Sequence, residues 1–164
     1  MSILTAVPPD ELKGQLDALR AKGARIVFTN GVFDLLHVGH IRYLREARAM
    51  GDALVVALNT DESVARLKGP RRPLLPLAER VKILAGLEMV DFVTWFAEDT
   101  PLEIITLLQP DVLVKGGDYT PDTIVGRDVV EARGGRVVAV PLTEGASTTT
   151  LVHRILQSAN AAKK

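Results

Sequence analysis

The chain has 164 residues, 47% of them hydrophobic, with 20 basic and 20 acidic side chains, a formal net charge of zero and no cysteine. That length suits one domain able to bury a core of its own. The missing thiols exclude disulfide frameworks, thiolate metal sites and cysteine nucleophiles, and the balanced charge argues against broad attraction to nucleic acid or to an anionic membrane. Met1 to Pro9 lacks the basic start and apolar run of a secretory signal, and the longest apolar stretches are strand-sized. The expectation is a soluble cytoplasmic protein.

In chain order, Leu12, Leu16 and Leu19 follow helical spacing after Pro8-Pro9 and predict an amphipathic helix ending near Gly23. It forms a helical extension over 1–24, packed on a main domain over 25–160. Arg25 to Asn30 reads as a strand, closed by Gly31. Ile41, Leu44 and Ala47 mark a helix that Gly51 stops. Asp52 to Leu58 is a second strand, and Asp61 to Leu67 a short helix. Lys68 to Pro76, with three prolines and a glycine, must be a loop. Leu77 to Leu87 resumes helix, Phe92 to Phe96 is a third strand, and Pro101 to Leu108 a helix. Asp111 to Lys115 is a fourth strand; a helix around Val125 to Ala132, a fifth strand at Arg136 to Val140 and a closing helix over Ser147 to Ala159 follow. Strands that are continuous apolar runs, alternating with helices, predict an α/β fold: a single-domain, Rossmann-like, doubly wound parallel sheet of about five strands with helices on both faces. Ligands of such sheets bind beyond the carboxyl ends of the strands. That directs attention to Asn30-Gly31, Asn59-Thr60-Asp61, Lys115 to Asp118 and Pro141 to Thr149.

Three segments there carry chemistry. In Thr29 to His40 (TNGVFDLLHVGH), His37 and His40 share one face of a helical turn, and Gly39 permits close approach to the backbone. The free N–H groups and dipole of a helix start favour an anion, so two imidazoles there can donate to a phosphate. HxGH by itself equally describes two ordinary helix histidines. A zinc site is disfavoured, because no third ligand clusters with the pair, and His153 reads as a surface or packing residue. In the second segment, Gly145 to Thr150 (GASTTT), the hydroxyls normally cap a helix, yet they fall at the same sheet edge as His37. In the third, Lys115-Gly116-Gly117-Asp118-Tyr119 offers a cation beside a permissive backbone, or merely a tight turn. Arg71, Arg72 and Arg80 flank the proline-rich loop, either as solvated surface or as a basic loop that closes over a ligand.

Taken together, TNGVFDLLHVGH, RPLLPLAER, LVKGGDYTPDTIVG and GASTTTLVHRI resemble the cytidylyltransferase-like nucleotidyltransferase superfamily, and within it the adenylyltransferases of ADP-heptose synthesis. The resemblance runs from about Arg25 to Leu156. It implies transfer of AMP from ATP to D-glycero-β-D-manno-heptose 1-phosphate, with release of pyrophosphate and with Mg²⁺ held by the ATP phosphates rather than by a ligand set of the protein. By motif, His37, His40 and Lys115 are then the catalytic residues. Asn30, Gly31, Phe33, Gly39, His40, Asn59, Ser147, Thr148 and Thr149 bind the nucleotide, with Ser147 and Thr148 on the β- and γ-phosphates. Asp34, Asp61, Arg72, Arg80, Gly117, Asp118 and Tyr119 lie at the substrates, Asp34 as an orienter of the loop or as a structural residue. The resemblance also implies a homodimer and, since the kinase half of the bifunctional heptose enzyme is missing, a separate sugar kinase. CTP-using relatives carry an arginine in an R-T-E-G-I-S-T string where this chain has Leu142, which argues for adenine over cytosine. Two alternatives stay open: nucleotidyl transfer to another acceptor, such as glycerol 3-phosphate or a flavin or pantetheine phosphate, and a nucleotide-binding regulatory module without turnover.

Overall fold

The computed structural model describes residues 6–117, 119–141 and 143–162. Asp118 and Leu142, both singled out from the sequence, lie outside the described residues. Five strands, β1 (Ile26–Gly31), β2 (Ala53–Asn59), β3 (Phe92–Phe96), β4 (Val112–Gly116) and β5 (Arg136–Val140), form one all-parallel sheet in the order β3-β2-β1-β4-β5. The helices are α1 (Pro9–Ala21), α2 (Val38–Arg48), α3 (Asp61–Lys68), α4 (Leu77–Ala85), α5 (Leu102–Leu108), α6 (Arg127–Glu131) and α7 (Thr148–Ala161). A 3₁₀ turn at Pro121–Thr123 was not foreseen in the sequence.

Each central strand feeds two cores, because successive side chains point to opposite faces. Val27, Leu54, Val56, Leu58, Val112 and Val114 pack with Leu44 and Ala47 of α2 and Val81 and Leu84 of α4. Ile26, Phe28, Val55, Ala57 and Leu113 pack with Leu12 and Leu16 of α1, Ile104, Ile105 and Leu108 of α5, and Val130 of α6. Burial on both faces is why these strands read as unbroken apolar runs. Helix α1 starts on Pro9 with Asp10 and Glu11 in its first turn, which suit a fixed φ and the positive end of the dipole. Val7 ahead of it donates to the Val93 carbonyl at 2.8 Å, tying this segment to β3.

At the amino ends of the strands three aspartates each stand one residue before a strand and accept an amide from the neighbouring one. Arg25 donates to Asp52 at 2.7 Å, Leu54 to Asp91 at 2.7 Å and Ile26 to Asp111 at 2.8 Å. At the carboxyl ends the strands part instead. The order reverses between β1 and β4, and a crevice opens there.

Candidate active site

The chain leaves β1 through Phe33, whose φ of 47° lies in the left-handed region that few non-glycine residues adopt. Its ring is 5.2 Å from that of His40. Helix α2 begins with His37 as its N-cap. His37 Nδ1 accepts the Gly39 amide at 3.2 Å, and His40 Nδ1 accepts the His37 amide at 3.3 Å. A ring nitrogen that accepts an N–H bears no proton, so both neutral imidazoles carry theirs on Nε2. The two rings, 3.9 Å apart, therefore present two N–H donors at a helix start. Burial lowers the pKa of His37; burial and then the neighbouring His37 take His40 down to about 4. A Cβ on Gly39 would stand 2.9 Å from the His37 ring and 3.3 Å from Ala146. Glycine at that point admits both the folded-back imidazole and the segment leading into α7.

That segment meets the first directly. The Thr148 hydroxyl donates to the Leu35 carbonyl at 3.1 Å, and Ser147 Oγ caps α7 by accepting the Thr150 amide at 3.0 Å. The two hydroxyls expected on phosphates thus also tie the segments and cap the helix, while the Thr148 and Thr149 amides at the start of α7 have no partner within the helix. Those amides, the two imidazoles, Arg72 and Lys115 surround a cavity of about 410 Å³, which Asn30, Gly31, Phe33, Ser147 and Thr149 also line. A second cavity of about 400 Å³ adjoins it. Asn30, Gly31, Val32, Lys68, Lys115 and Tyr119 line both. Lys115 Nζ sits 5.6 Å from the Tyr119 ring centroid, and burial, then Lys68, lower its pKa.

The expected site residues separate into those that face a cavity and those that frame it. Asp34 lines the first cavity, but its carboxylate is fully occupied by the amides of Leu74 and Leu75, both at 2.8 Å, and by Arg72 Nε at 2.9 Å. Burial alone would raise its pKa; these donors outweigh it and hold the group below the usual carboxylate range. Asp34 is the orienter of the proline-rich loop. Arg80 is wholly buried and bonds the carbonyls of Val32, Asn59 and Leu75 and the Asp61 carboxylate at 2.7–3.0 Å. It therefore does not swing over a ligand, and neither it nor Asp61 lines a cavity; together they fasten the ends of β1 and β2 to the loop. Asn59 falls on the second cavity, its amide donating to Ser63 Oγ at 3.0 Å, and Gly117 lines neither cavity; a Cβ there would meet the Tyr119 ring at 3.4 Å. His153 is exposed on α7.

Sequence reasoning missed Tyr43, one turn beyond His40, and the rest of the second cavity: Leu67, Phe96, Asp99, Thr100 and Thr123 to Val125. The carboxyl-end rule, applied also to β3, points straight at Asp99 and Thr100. Among the described residues no three His, Asp or Glu gather as a metal cage, and no helix is long and apolar enough to cross a membrane.

The sequence model of the cytidylyltransferase-like family matches residues 28–158. The chain is 56% identical over 147 residues to the bifunctional protein HldE of Syntrophotalea carbinolica and 58% identical over 146 residues to that of Geotalea uraniireducens. The alignments cover 90% and 89% of this chain, which spans about 30% of the length of either relative. Among solved structures it resembles a lipopolysaccharide core biosynthesis protein from Thermoplasma volcanium, with a TM-score of 0.61 and 28% identity over 76% of this chain and all of the other. It shares its fold with pantoate–β-alanine ligase from Francisella tularensis, with a TM-score of 0.60 and 15% identity over 85% of this chain and 68% of that one.

Proposed function

The chain belongs to the cytidylyltransferase-like family, and on that premise we propose that it is an adenylyltransferase acting on a sugar 1-phosphate, D-glycero-β-D-manno-heptose 1-phosphate by kinship to the heptose branch. The observation that carries this is the pair of adjoining cavities with a common wall at Lys68 and Lys115. A group-transfer enzyme needs two substrates side by side with the reacting atoms at the boundary. The first cavity, lined by N–H donors and cations, suits a triphosphate. The second, with Asn59, Asp99, Thr100 and Thr123, offers the polar contacts a sugar needs.

In the reaction an anionic oxygen of the sugar phosphate attacks the α-phosphorus of ATP. The bond to the β,γ-pyrophosphate breaks, and pyrophosphate leaves with that electron pair. The attacking phosphate is already ionised near neutrality, so no strong general base is required. What remains is alignment and neutralisation of charge. His37 and His40 donate Nε2–H to the phosphates around the α-phosphorus, and the α7 amides hold the leaving pyrophosphate. Lys115, with Lys68 beside it, draws the incoming phosphate across the common wall. Arg72, steadied by Asp34, adds charge from the loop. Mg²⁺ carried in on the triphosphate would neutralise its oxygens, and a rim rich in donors suits a metal delivered that way. A sugar kinase activity must supply the acceptor, and the exposed Ile155 and Leu156 on α7 support a homodimer.

The test is pyrophosphate release with ATP or CTP and a panel of sugar 1-phosphates. Release with ATP and the manno-heptose phosphate alone is the expected result. Release with another acceptor would retain the chemistry and change the substrate; nucleotide binding without release from any pair would replace the enzyme by a binding module.

A further inference from the structure

Strands β1 and β4 pair for only two rungs, Val27 with Val112 and Phe28 with Leu113, although β1 continues to Gly31 and β4 to Gly116. The next rung would bring Thr29 against Val114. In its place stands the hydroxyl of Tyr43, reaching across from α2. It donates to the Val114 carbonyl at 3.0 Å and bonds Thr29 Oγ1. The phenol has one proton, and it goes to Val114, so the Thr29 hydroxyl must donate to the phenol oxygen. The phenol takes over from β1 at the level where the strands part.

Gly116 is fitted to this arrangement, since a Cβ there would lie 3.1 Å from the Tyr43 ring. Thr29 and Val114 are fully buried, so no water can replace the phenol without opening the sheet. Burial pushes the Tyr43 hydroxyl up to about 12, which keeps it a donor throughout the neutral range. Tyr43 also lines the first cavity and stands one helical turn from His40.

We propose that Tyr43 is a positioning residue for the nucleotide: by replacing the third rung between β1 and β4 it holds the crevice open and docks α2 so that His40 faces it, with Thr29 as its supporting donor. This rests on reading the first cavity as the nucleotide site. A tyrosine that served stability alone would leave both substrates' affinities untouched well below the unfolding temperature, whereas the wedge acts on one of two neighbouring cavities.

The experiment is calorimetric titration of ATP into the wild-type protein and Tyr43→Phe, with KM measured for each substrate well below either unfolding temperature. The loss of one hydrogen-bonded bridge predicts roughly fivefold weaker ATP binding and a matching rise in the ATP KM, with the acceptor KM within about twofold. Thr29→Val, nearly isosteric, should weaken ATP in the same direction by about threefold, and Thr29→Ser, which keeps the hydroxyl, should recover most of it. Should Tyr43→Phe fail to fold, the Thr29 pair decides alone. ATP affinity unchanged in the valine variant, or in a folded phenylalanine variant, overturns the proposal, as does an equal loss for both substrates. A wild-type protein that binds neither ATP nor CTP would instead overturn the reading of the cavity itself.

Discussion

The two ends of the sheet are built from opposite materials. At the amino end Asp52, Asp91 and Asp111 accept strand amides, and Arg48 and Arg20 stand behind Asp91 and Asp111 at 2.8 and 3.8 Å. Apart from the buried Arg20 Nε, which lacks a hydrogen-bond partner, the donors named there meet acceptors within the protein. At the carboxyl end the inventory is reversed. Nε2–H groups of two histidines, first-turn amides of α7, and Lys68, Lys115 and Arg72 converge with few acceptors to receive them. A formal charge of zero hides this polarity. One end is largely satisfied within the protein and contributes stability; the other is the end proposed to hold the nucleotide's phosphates.

The largest test of that division is His40→Ala. Removing one preorganised donor at a charge-developing centre costs on the order of 10²- to 10³-fold in kcat. Because the His40 ring accepts only the nearby His37 amide and packs on the neighbouring Phe33 and His37 rings, all within its own loop and helix start, the unfolding temperature should stay within a few degrees. Steady-state kinetics beside a thermal melt gives both numbers. A variant that loses stability while keeping its rate would reverse the assignment of the two ends.

The mirror image is Asp91→Ala at the amino end. It strips the Leu54 amide of its acceptor and Arg48 of its partner, both on the carboxylate's Oδ2. For a partly exposed group the expected loss is roughly 1–2 kcal/mol in denaturant unfolding. The rate per folded molecule should not change, and a tenfold fall in kcat at full folding would show that the two ends are coupled.

Acid titration sharpens the same contrast, because the ends respond in different windows. His40 has its folded pKa depressed to about 4 from 6.5. Between those values the unfolded chain binds a proton that the folded chain refuses, so stability is complete above about pH 6.5 and declines as pH falls towards 4. Carboxylates behave differently. Asp34, held below the ordinary carboxylate value of 3.8, contributes stability that is complete above that value and lost only in stronger acid. Melts from pH 7 to pH 4 should therefore show a decline of a few degrees that His40→Ala flattens. An unchanged slope in that variant would remove the buried neutral imidazole from the account.

How much of this was legible follows from where the information resides. The strands were readable because a segment such as Ala53–Asn59, buried along its whole length, leaves no room for polar residues. Their ends were misjudged by a residue, since Gly31, Asn59 and Gly116 complete ladders that only the neighbouring strand defines. HxGH and GASTTT were found because a helix start is written locally. What stayed hidden were contacts fixed by distant backbone. Arg80 looks like any loop-flanking arginine until its bonds to the carbonyls of Val32, Asn59 and Leu75 appear. Ser147 and Thr148 line the first cavity as residues, but the bond to the Leu35 carbonyl and the cap on Thr150 that their hydroxyls also make are invisible in a string of letters. Tyr43 carried no motif at all; its place depends on how many rungs β1 and β4 share.

The smallest effect is expected at the rim of the second cavity. Arg66 bonds Asp99 at 2.9 Å and also donates to the Ala97 carbonyl at 2.5 Å, and the charged pair is largely exposed. Such pairs contribute at most about 1 kcal/mol, so Arg66→Ala should move unfolding little. Asp99 nevertheless lines the cavity proposed for the acceptor, and Arg66 is what fixes its carboxylate. Freed, that carboxylate loses its orientation towards a sugar hydroxyl, and the acceptor KM should rise by about two- to threefold while the ATP KM stays constant. The asymmetry carries the argument. A shift in the ATP KM instead would place the nucleotide in the second cavity, exchange the roles of the two pockets, and move the donor site from the histidines' side of Lys115 to the side of Asn59.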